Sequence, residues 1–345
     1  MTDAAMHPEK RFRVAAMTKF SRYGLIVMAV IVLALAFGPL WLDRSNMRLM
    51  VELCYMLALA QMWNLLAGYG GLVSVGQQAF VGLGGYFFFV IAAFLGVPPL
   101  LAIPLAGLVA AVFAIPTAAV VFRLKGAYFA IGTWVAAEVY MLVFAQIGAL
   151  GGGSGMSLPI DVVRAIADSR DMREAVTYWT ALGLAVGSVA LVYGLLRSKY
   201  GLALAAIRDS EPAAASLGVD VARAKYIVYV IAAFVTGLAG ALIFLAKLRI
   251  SPDAAFSVMD WTAYVIFIVV IGGVGRIEGP ILGTIVFFIL RGLLADLGSF
   301  YLIILGLIAV GVMLLAPRGL WGLAVERFGI ELFPVQRRLD MRKDN

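Results

Sequence analysis

The sequence predicts an all-α, polytopic integral membrane protein with about ten transmembrane helices. Of its 345 residues, 63% are hydrophobic and 14% are charged, against ~45–50% apolar and ~25% charged residues in an average globular domain. The mean hydropathy is +1.00. Apolar stretches of ~17–25 residues, long enough to cross a hydrocarbon layer ~30 Å thick, recur along nearly the whole chain and leave no room for a second, soluble domain.

Ten such stretches define the predicted spans. In order along the chain they lie near residues 23–42, 49–66, 79–95, 100–122, 127–148, 175–196, 227–246, 261–275, 280–295 and 300–316. The first is too long for the core of a signal peptide and no small-residue cleavage site follows it, so we expect it to remain as a span. The transmembrane domain is therefore predicted at 23–316, between an N-terminal tail, 1–22, and a C-terminal tail, 317–345.

The distribution of basic residues predicts the orientation of these spans. An even number of crossings places both tails on one side, and most of the 27 Lys and Arg residues then fall in the tails and in the connections on that side. The positive-inside rule makes that side cytoplasmic. We therefore expect a multi-pass protein of the bacterial inner membrane with both termini and the 197–225 connection in the cytoplasm, and with 149–174 in the periplasm.

Composition also excludes several classes of function. The net charge of +7 is spread over inner loops and tails, where anionic lipid headgroups account for it better than nucleic acid does. Cys54 and His7 are the only cysteine and histidine. We therefore expect no internal disulfide, no Cys or His metal site and no His-based catalysis. The sequence has no G-x-x-x-x-G-K-[ST] motif, so we expect no bound nucleotide, cofactor or metal and no enzymatic activity of the chain itself.

Two glycine-rich stretches interrupt the span pattern. Residues 67–78 carry four glycines, Ser74 and the paired amides Gln77 and Gln78, and residues 272–280 combine glycines with Arg276 and Glu278. Non-helical backbone at membrane depth must be buried in protein or line a wet cavity. Gly-interrupted segments in both halves of a chain are typical of a transport path. The alternative is that both are close-packing turns remote from the path, as Gly237 and Gly240 are expected to be in a packed span.

Ion-coupled transport would require ionisable groups inside the membrane. The candidates are Glu52, Glu138, Arg291 and Asp296. All but Glu138 lie near predicted span ends, where snorkelling lowers the cost of burial. A secondary transporter that uses Glu138 is therefore an alternative function, and a purely structural or assembly subunit is a third.

The segment 197–225 is the longest charged connection predicted on the inner side. Ser210 can cap a new helix that Pro212 starts and Gly218 stops, which predicts a helix, a break and a short helix in water. A transporter that lacks its own ATPase needs such a rigid element to present to one. The region from Ala206 to Lys225, centred on Glu-Pro-Ala-Ala-Ala-Ser-Leu-Gly at 211–218, closely resembles the coupling region of ABC importer permeases.

More narrowly, the chain resembles the larger of the two permease subunits of branched-chain amino acid importers. The resemblance covers roughly residues 65–323. Besides 206–225 it is carried by the sequences at 70–76, 79–80, 82–86, 123–131, 237–242, 250–252, 272–275, 279–280, 283 and 317–320. Each motif alone is a weak signal, but their order and spacing along the chain together carry the resemblance to this permease family. Departures are Gln77 in place of a common His, Leu-Gly-Gly-Gly-Ser at 150–154 in place of Thr-Gly-Gly, and Arg276 in place of a small hydroxyl residue.

The resemblance implies a machine with several partners. They are a homologous permease subunit that forms a heterodimer with this chain, two cytoplasmic ATP-binding subunits that use the ATP, a periplasmic solute-binding protein and membrane lipid, with no nucleic acid. It implies ATPase coupling through Arg208, Glu211, Ala213, Ala214 and Gly218. We place the translocation path at Ser74, Gln77, Gln78, Glu138, Gly272 and Gly273. The implied cargo is leucine, isoleucine and valine; because the same family also serves other importers, urea, amides or another small solute is the alternative.

Overall fold

A computed structural model describes residues 12–15, 19–294, 297–298, 300–328, 332–333 and 338–341. The fold in these residues is almost entirely helical. The helices are α1 (Lys19–Ala36), α2 (Arg44–Asn64), α3 (Gln77–Phe89), α4 (Pro99–Val121), α5 (Ala127–Gln146), α6 (Ile160–Arg164), α7 (Arg170–Arg197), α8 (Lys199–Asp209), α9 (Glu211–Ser216), α10 (Val221–Lys247), α11 (Pro252–Ala255), α12 (Tyr264–Gly272), α13 (Glu278–Leu294), α14 (Phe300–Leu315) and α15 (Gly319–Phe328).

Four short strands complete the described part of the chain. They are β1 (Phe12–Ala15), β2 (Met156–Ser157), β3 (Arg249–Ile250) and β4 (Arg338–Met341). β2 pairs antiparallel with β3, and β1 pairs antiparallel with β4. The β1–β4 pairing places residues 12–15 beside residues 338–341.

The predicted polytopic all-α fold is confirmed. Among the described residues, eight helical segments are long and apolar enough to cross a membrane, and the shorter apolar helix Tyr23–Ala36 lies at the first predicted span. α13, with 17 residues, lies at the ninth. Helices therefore occupy all ten predicted positions. We call the side of the bundle that carries α8 and α9 the inner side, and the side that carries α6 the outer side.

Several predicted boundaries differ from the structure. The predicted outer connection runs to residue 174, whereas α7 begins at Arg170 because Ser169 caps it by accepting a hydrogen bond from the backbone N–H of Met172. The eighth span is longer than predicted, since α11, a π-helical turn at Met259–Ala263 and α12 form one apolar segment, Pro252–Gly272. The predicted C-terminal tail contains α15, which packs on α12 and α13.

The centre of the bundle is formed by α2, α3 and α10, which are mostly buried, while α5 and α14 are mostly exposed. Small residues bring the central helices together. A methyl group added at Gly84 would lie 2.1 Å from the carbonyl oxygen of Gly237, and one at Gly240 would lie 2.1 Å from that of Val81. Backbones this close require glycine, so the packing role predicted for Gly237 and Gly240 is confirmed.

Candidate functional site

The inner segment between α7 and α10 has the predicted form of a helix, a break and a short helix. Ser210 lies between α8 and α9 in an extended conformation, and its Oγ accepts a hydrogen bond from the backbone N–H of Ala213 at 3.4 Å. Pro212 lies in the first turn of α9. The chain leaves α9 through Gly218, whose φ of +83° is in the left-handed region that favours glycine.

An ion pair and a small apolar cluster fix α9 to α10. Lys225 Nζ lies 2.7 Å from Glu211 Oε2, and Ile207, Ala214 and Ala224 bury one another. These contacts join α8 and α9 to the beginning of α10, a central helix of the bundle.

The exposed face of α9 differs from the one predicted. Ala213 and Gly218 are exposed, but Ala214 is 1% exposed and packs inward, so it cannot enter a partner's groove. Leu217, which the sequence reasoning missed, is 82% exposed. The available signal was a large apolar residue within a charged connection.

Arg208 lies at the end of α8 and reaches from this segment towards the second glycine-rich break. Its Nη2 lies 3.4 Å from Asp209 Oδ1. Its Nη1 lies 3.7 Å from the position that a Cβ on Gly275 would occupy. The Arg208 side chain therefore lies between the 197–225 segment and the turn at Gly275.

The first break is a re-entrant segment. α2 ends in a π-helical turn at Leu65–Tyr69, and the chain then runs back along α2. The backbone N–H of Leu72 donates to Leu66 O at 2.9 Å, Trp63 Nε1 donates to Ser74 O at 2.8 Å, and Gln77 Nε2 donates to Leu59 O at 2.8 Å. From Leu66 to Leu59 is roughly 10 Å at ~1.5 Å per helical residue. α3 therefore begins well inside the bundle, beside the middle of α2.

The polar residues predicted to line the path hold this segment in place. Ser74, Gln77 and Gln78 are 4%, 5% and 0% exposed. Gln78 Oε1 accepts a hydrogen bond from Thr262 Oγ1 at 2.5 Å, and Ser74 Oγ accepts one from the backbone N–H of Gly76. Gln77 Oε1 and Gln78 Nε2 have no hydrogen-bond partner in the described part of the chain. Each glutamine thus uses one end of its amide for structure and keeps the other free.

The second break turns between α12 and α13 and packs against the end of α2. Gly273 and Gly275 have φ values of +129° and +76°. Asn64 closes the turn from both sides, because its Nδ2 donates to Arg276 O and its Oδ1 accepts from the backbone N–H of Gly275, both at 2.8 Å. Gln61 Nε2 donates to Ile277 O at 2.8 Å.

The two breaks therefore meet on the inner side of the bundle. A Cβ on Gly68, in the first break, would lie 2.5 Å from the backbone nitrogen of Gly275 in the second. Within the second break itself, a Cβ on Gly272 would lie 1.8 Å from Gly279 O. Gln61 and Asn64, which make this junction, were missed in the sequence. Two amides three residues apart in an apolar span were the available signal, because such side chains bind across to another element.

Glu138 lies apart from these groups. It sits near the middle of α5, partly exposed, and accepts a hydrogen bond from Trp134 Nε1 at 2.9 Å. Its neighbours on that face are apolar and exposed, among them Val135 at 53% and Leu142 at 58%. The structure thus separates Glu138 from Gln77 and Gln78. The opposite face of α5 carries Thr133, which contacts the backbone of residues 75–76 just before those glutamines.

With this geometry established, comparison with known proteins identifies the family. Residues 45–317 match the sequence model of the family described as "Branched-chain amino acid transport system / permease component". The chain belongs to this permease family. The match covers both breaks and the inner segment around α9, so the elements described above are parts of a transport permease.

Named relatives agree with this assignment. The permease is 30% identical over 318 residues to the high-affinity branched-chain amino acid transport system permease protein LivM of Salmonella typhimurium, and equally to that of Escherichia coli; each alignment covers 86% of this chain and 74% of the relative. It is 29% identical over 187 residues to a probable LivM of Methanocaldococcus jannaschii, which covers 54% and 52%. No solved structure matches the permease.

The remaining intramembrane charges of the permease form a pair. Arg291 Nη1 lies 2.5 Å from Glu52 Oε1, across 239 residues of sequence. Both side chains are partly exposed, as expected near the ends of spans, and each also neutralises the other between α13 and α2. Asp296, the other candidate named from the sequence, lies outside the described residues.

Proposed function

We propose that this permease is a membrane subunit of an ATP-driven importer that carries branched-chain amino acids across the bacterial inner membrane. The observation that carries the proposal is the exposed α8–Ser210–α9 element on a chain with no nucleotide-binding motif. Such an element serves a transporter whose ATPase is a separate subunit. The names of the relatives support the cargo, and we propose two ATP-binding subunits on the inner side and a solute-binding protein on the outer side.

In this proposal, a displacement of α9 moves the two glycine-rich breaks. ATPase closure displaces α9 through Glu211, Ala213, Leu217 and Gly218. The Lys225–Glu211 ion pair passes the displacement to α10, and Arg208 passes it to the turn at Gly275. Because packed interfaces have discrete arrangements, a small shift there switches access between the two sides. Gly272 and Gly273 then act as hinges of the gate, while Ser74, Gln77 and Gln78 buttress the path.

The proposed function is tested by uptake of radiolabelled leucine into proteoliposomes that contain the permease with its co-expressed transporter subunits. We expect uptake that requires ATP and the loaded binding protein, that competes with isoleucine and valine, and that is unaffected by ionophores. Competition by urea or amides instead would assign another cargo. Uptake that collapses with ionophores would favour ion coupling through Glu138, and uptake that persists without this chain would make it an assembly subunit.

We further propose that the homologous permease subunit packs on α5. A carboxyl group facing lipid at the middle of a helix costs roughly 2.5–3.5 kcal/mol or more, so intramembrane carboxylates face protein or water. α14 provides the contrast, since it is also mostly exposed but carries no charged residue between Phe300 and Leu315, as a lipid-facing helix should. Glu138 and Trp134 therefore mark α5 as the face shared with the partner, and the path lies between the two subunits.

Photo-crosslinking tests this surface. A benzoylphenylalanine at Val135 on α5 is expected to capture the second permease subunit, and one at Ile303 on α14 is expected to capture lipid only. The two positions are matched, at 53% and 59% exposed. Equal capture of the second subunit from both positions, or capture from Ile303 alone, would contradict the assignment of α5.

Labelling of single cysteines tests the proposed orientation. In a background with Cys54 replaced by alanine, cysteines at Ser210 and Ser169 are expected to react with an impermeant maleimide from the cytoplasmic and periplasmic sides respectively. Both serines cap a helix, so each substitution removes one cap hydrogen bond. Reaction of both cysteines in intact cells with a permeabilised outer membrane would contradict the proposed topology.

A further inference from the structure

Beyond α15, the C-terminal part of the chain contacts the second glycine-rich break. We call Leu332 and Phe333 the C-terminal latch, because both direct their backbone N–H groups at one carboxylate oxygen. Glu278 Oε1 accepts from Leu332 at 3.1 Å and from Phe333 at 2.8 Å. Glu278 begins α13 and is 6% exposed. This buried carboxylate therefore lies in the same break as the hinge glycines Gly272 and Gly273.

The latch stabilises the charge of Glu278. None of the ion pairs among the described residues involves this carboxylate, so the two backbone N–H groups of the latch are important donors to it. A buried charge that loses its hydrogen bonds is strongly destabilised. A movement that separates the latch from α13 must therefore expose Glu278 to water or give it new donors.

The side chains of the latch contact two further helices. Phe333 is 8% exposed, and its ring packs edge-on against Tyr193 of α7, with 5.6 Å between the ring centres. A Cβ on Gly24 of α1 would lie 2.5 Å from Leu332 Cδ2. The latch thus joins the start of α13 to α1 and α7 on the inner side of the bundle.

Tyr193 connects the latch with the 197–225 segment. The Tyr193 hydroxyl accepts a hydrogen bond from Arg197 Nη1 at 2.8 Å, and Arg197 is the last residue of α7. The second break also contacts α15, because a Cβ on Gly319 would lie 2.4 Å from Gly273 Cα. C-terminal residues therefore contact this break at two points, Gly273 and Glu278, and the latch lies between the break and the end of α7.

We propose that the C-terminal latch holds the gate in the conformation described here and withdraws from α1, α7 and α13 when the ATPases close. In this inference, which rests on the proposed function, Glu278 is a positioning residue that acts on the hinge glycines through the latch. Withdrawal breaks two hydrogen bonds to a buried carboxylate and one aromatic contact. The latch therefore suppresses movement of the gate in the absence of ATP.

Thiol reactivity measures withdrawal of the latch in the full-length permease assembled with its co-expressed transporter subunits. In a Cys54→Ala background, Phe333→Cys keeps both backbone donors and places a buried thiol in the latch. We expect this thiol to react slowly with N-ethylmaleimide without nucleotide, and about tenfold faster or more when ATP is trapped with vanadate, as the loss of hydrogen bonds to a charged group would produce. Cys54 of the parent chain, 3% exposed in α2, is the control and should stay unreactive in both states.

Substitutions of Glu278 show whether its carboxylate positions the latch. Glu278→Leu removes the acceptor, so the Phe333→Cys thiol should react without nucleotide as fast as it otherwise does only with trapped ATP. Glu278→Gln keeps an acceptor oxygen without the charge and should give an intermediate rate. ATP hydrolysis in the absence of the binding protein should rise in the same order. Thermal unfolding shows which variants are folded; if Glu278→Leu is not, the result for Glu278→Gln decides.

A disulfide that locks the latch provides the converse test. The Cβ of Gly24→Cys would lie 3.8 Å from Leu332 Cα, which is close enough for a disulfide with Leu332→Cys. In the Cys54→Ala background, we expect oxidation to abolish ATP-driven uptake by this double variant and dithiothreitol to restore it. Each single-cysteine variant should transport at the same rate with and without the oxidant.

The inference is overturned if the Phe333→Cys thiol stays slow with trapped ATP, if folded Glu278 variants leave its reactivity without nucleotide unchanged, or if the oxidised double variant transports at the parental rate. Thiol reactivity and ATP hydrolysis do not depend on the cargo. A transporter that hydrolyses ATP and withdraws its latch but takes up no leucine would therefore contradict the proposed cargo alone. ATP-driven leucine uptake with the latch locked would contradict this inference and leave the proposed function intact.

Discussion

Replacing Gly218 by leucine is expected to abolish ATP-driven uptake while leaving membrane insertion intact. The residue has a φ of +83°, where a side chain costs an L-residue roughly 1–2 kcal/mol. No heavy atom lies within 4 Å of an added Cβ, so the leucine does not clash with the bundle. The strain instead re-directs the chain leaving α9 and displaces the surface formed by Ala213 and Leu217. Uptake and membrane content, measured on the same cells, separate coupling from insertion.

Two controls make this prediction specific. Gly218→Asn should retain much of the activity, because asparagine tolerates the left-handed conformation far better than leucine. Glu211→Lys should also abolish uptake, since it places two ammonium groups where Lys225 and Glu211 now pair, and the exchange Glu211→Lys with Lys225→Glu should restore part of it. If Gly218→Leu, expressed normally, transports at the parental rate with the ATPase engaged, α9 is not the coupling element.

Replacing Asn64 by leucine is expected to have the second-largest effect. The backbone N–H of Gly275 and the carbonyl of Arg276 each lose their hydrogen bond to the Asn64 side chain, and an unpaired buried polar group costs roughly 1–3 kcal/mol. The leucine Cγ is also tetrahedral where the amide is planar, and the Asn64 side chain packs directly against Gly68. We expect uptake to fall at least tenfold and the melting temperature of the purified permease to fall by several degrees.

Asn46→Leu is the matched control for this variant. Asn46 lies in the first turn of the same helix, is exposed, and uses only its backbone N–H, which donates to Asp43 Oδ1 at 3.3 Å. The same substitution there should change neither uptake nor melting temperature appreciably. Parental uptake by a folded Asn64→Leu protein would show that the junction of the two breaks is not part of the gate.

Local sequence signals determined the positions of the elements. A helix in lipid must satisfy every backbone group internally, so the length of an apolar run predicts where a span lies without knowledge of its neighbours. The same is true of the break at Ser210 and the turn at Gly218, because a capping side chain and a left-handed residue act on backbone groups within a few residues. Glycine and amide content likewise marked 67–78 and 272–280 as unsuited to lipid.

Tertiary structure alone decided which groups meet. Asn64 closes a turn more than 200 residues away, Glu52 pairs with Arg291, and Ala214 faces Ile207 and Ala224 instead of a partner. Hydropathy cannot reveal these contacts, since a buried polar group and a solvated one look alike in sequence. It also cannot tell which face of an apolar helix meets lipid and which meets protein. Those choices depend on how the helices pack, and for Glu138 they depend on the position of α5 at the edge of the bundle.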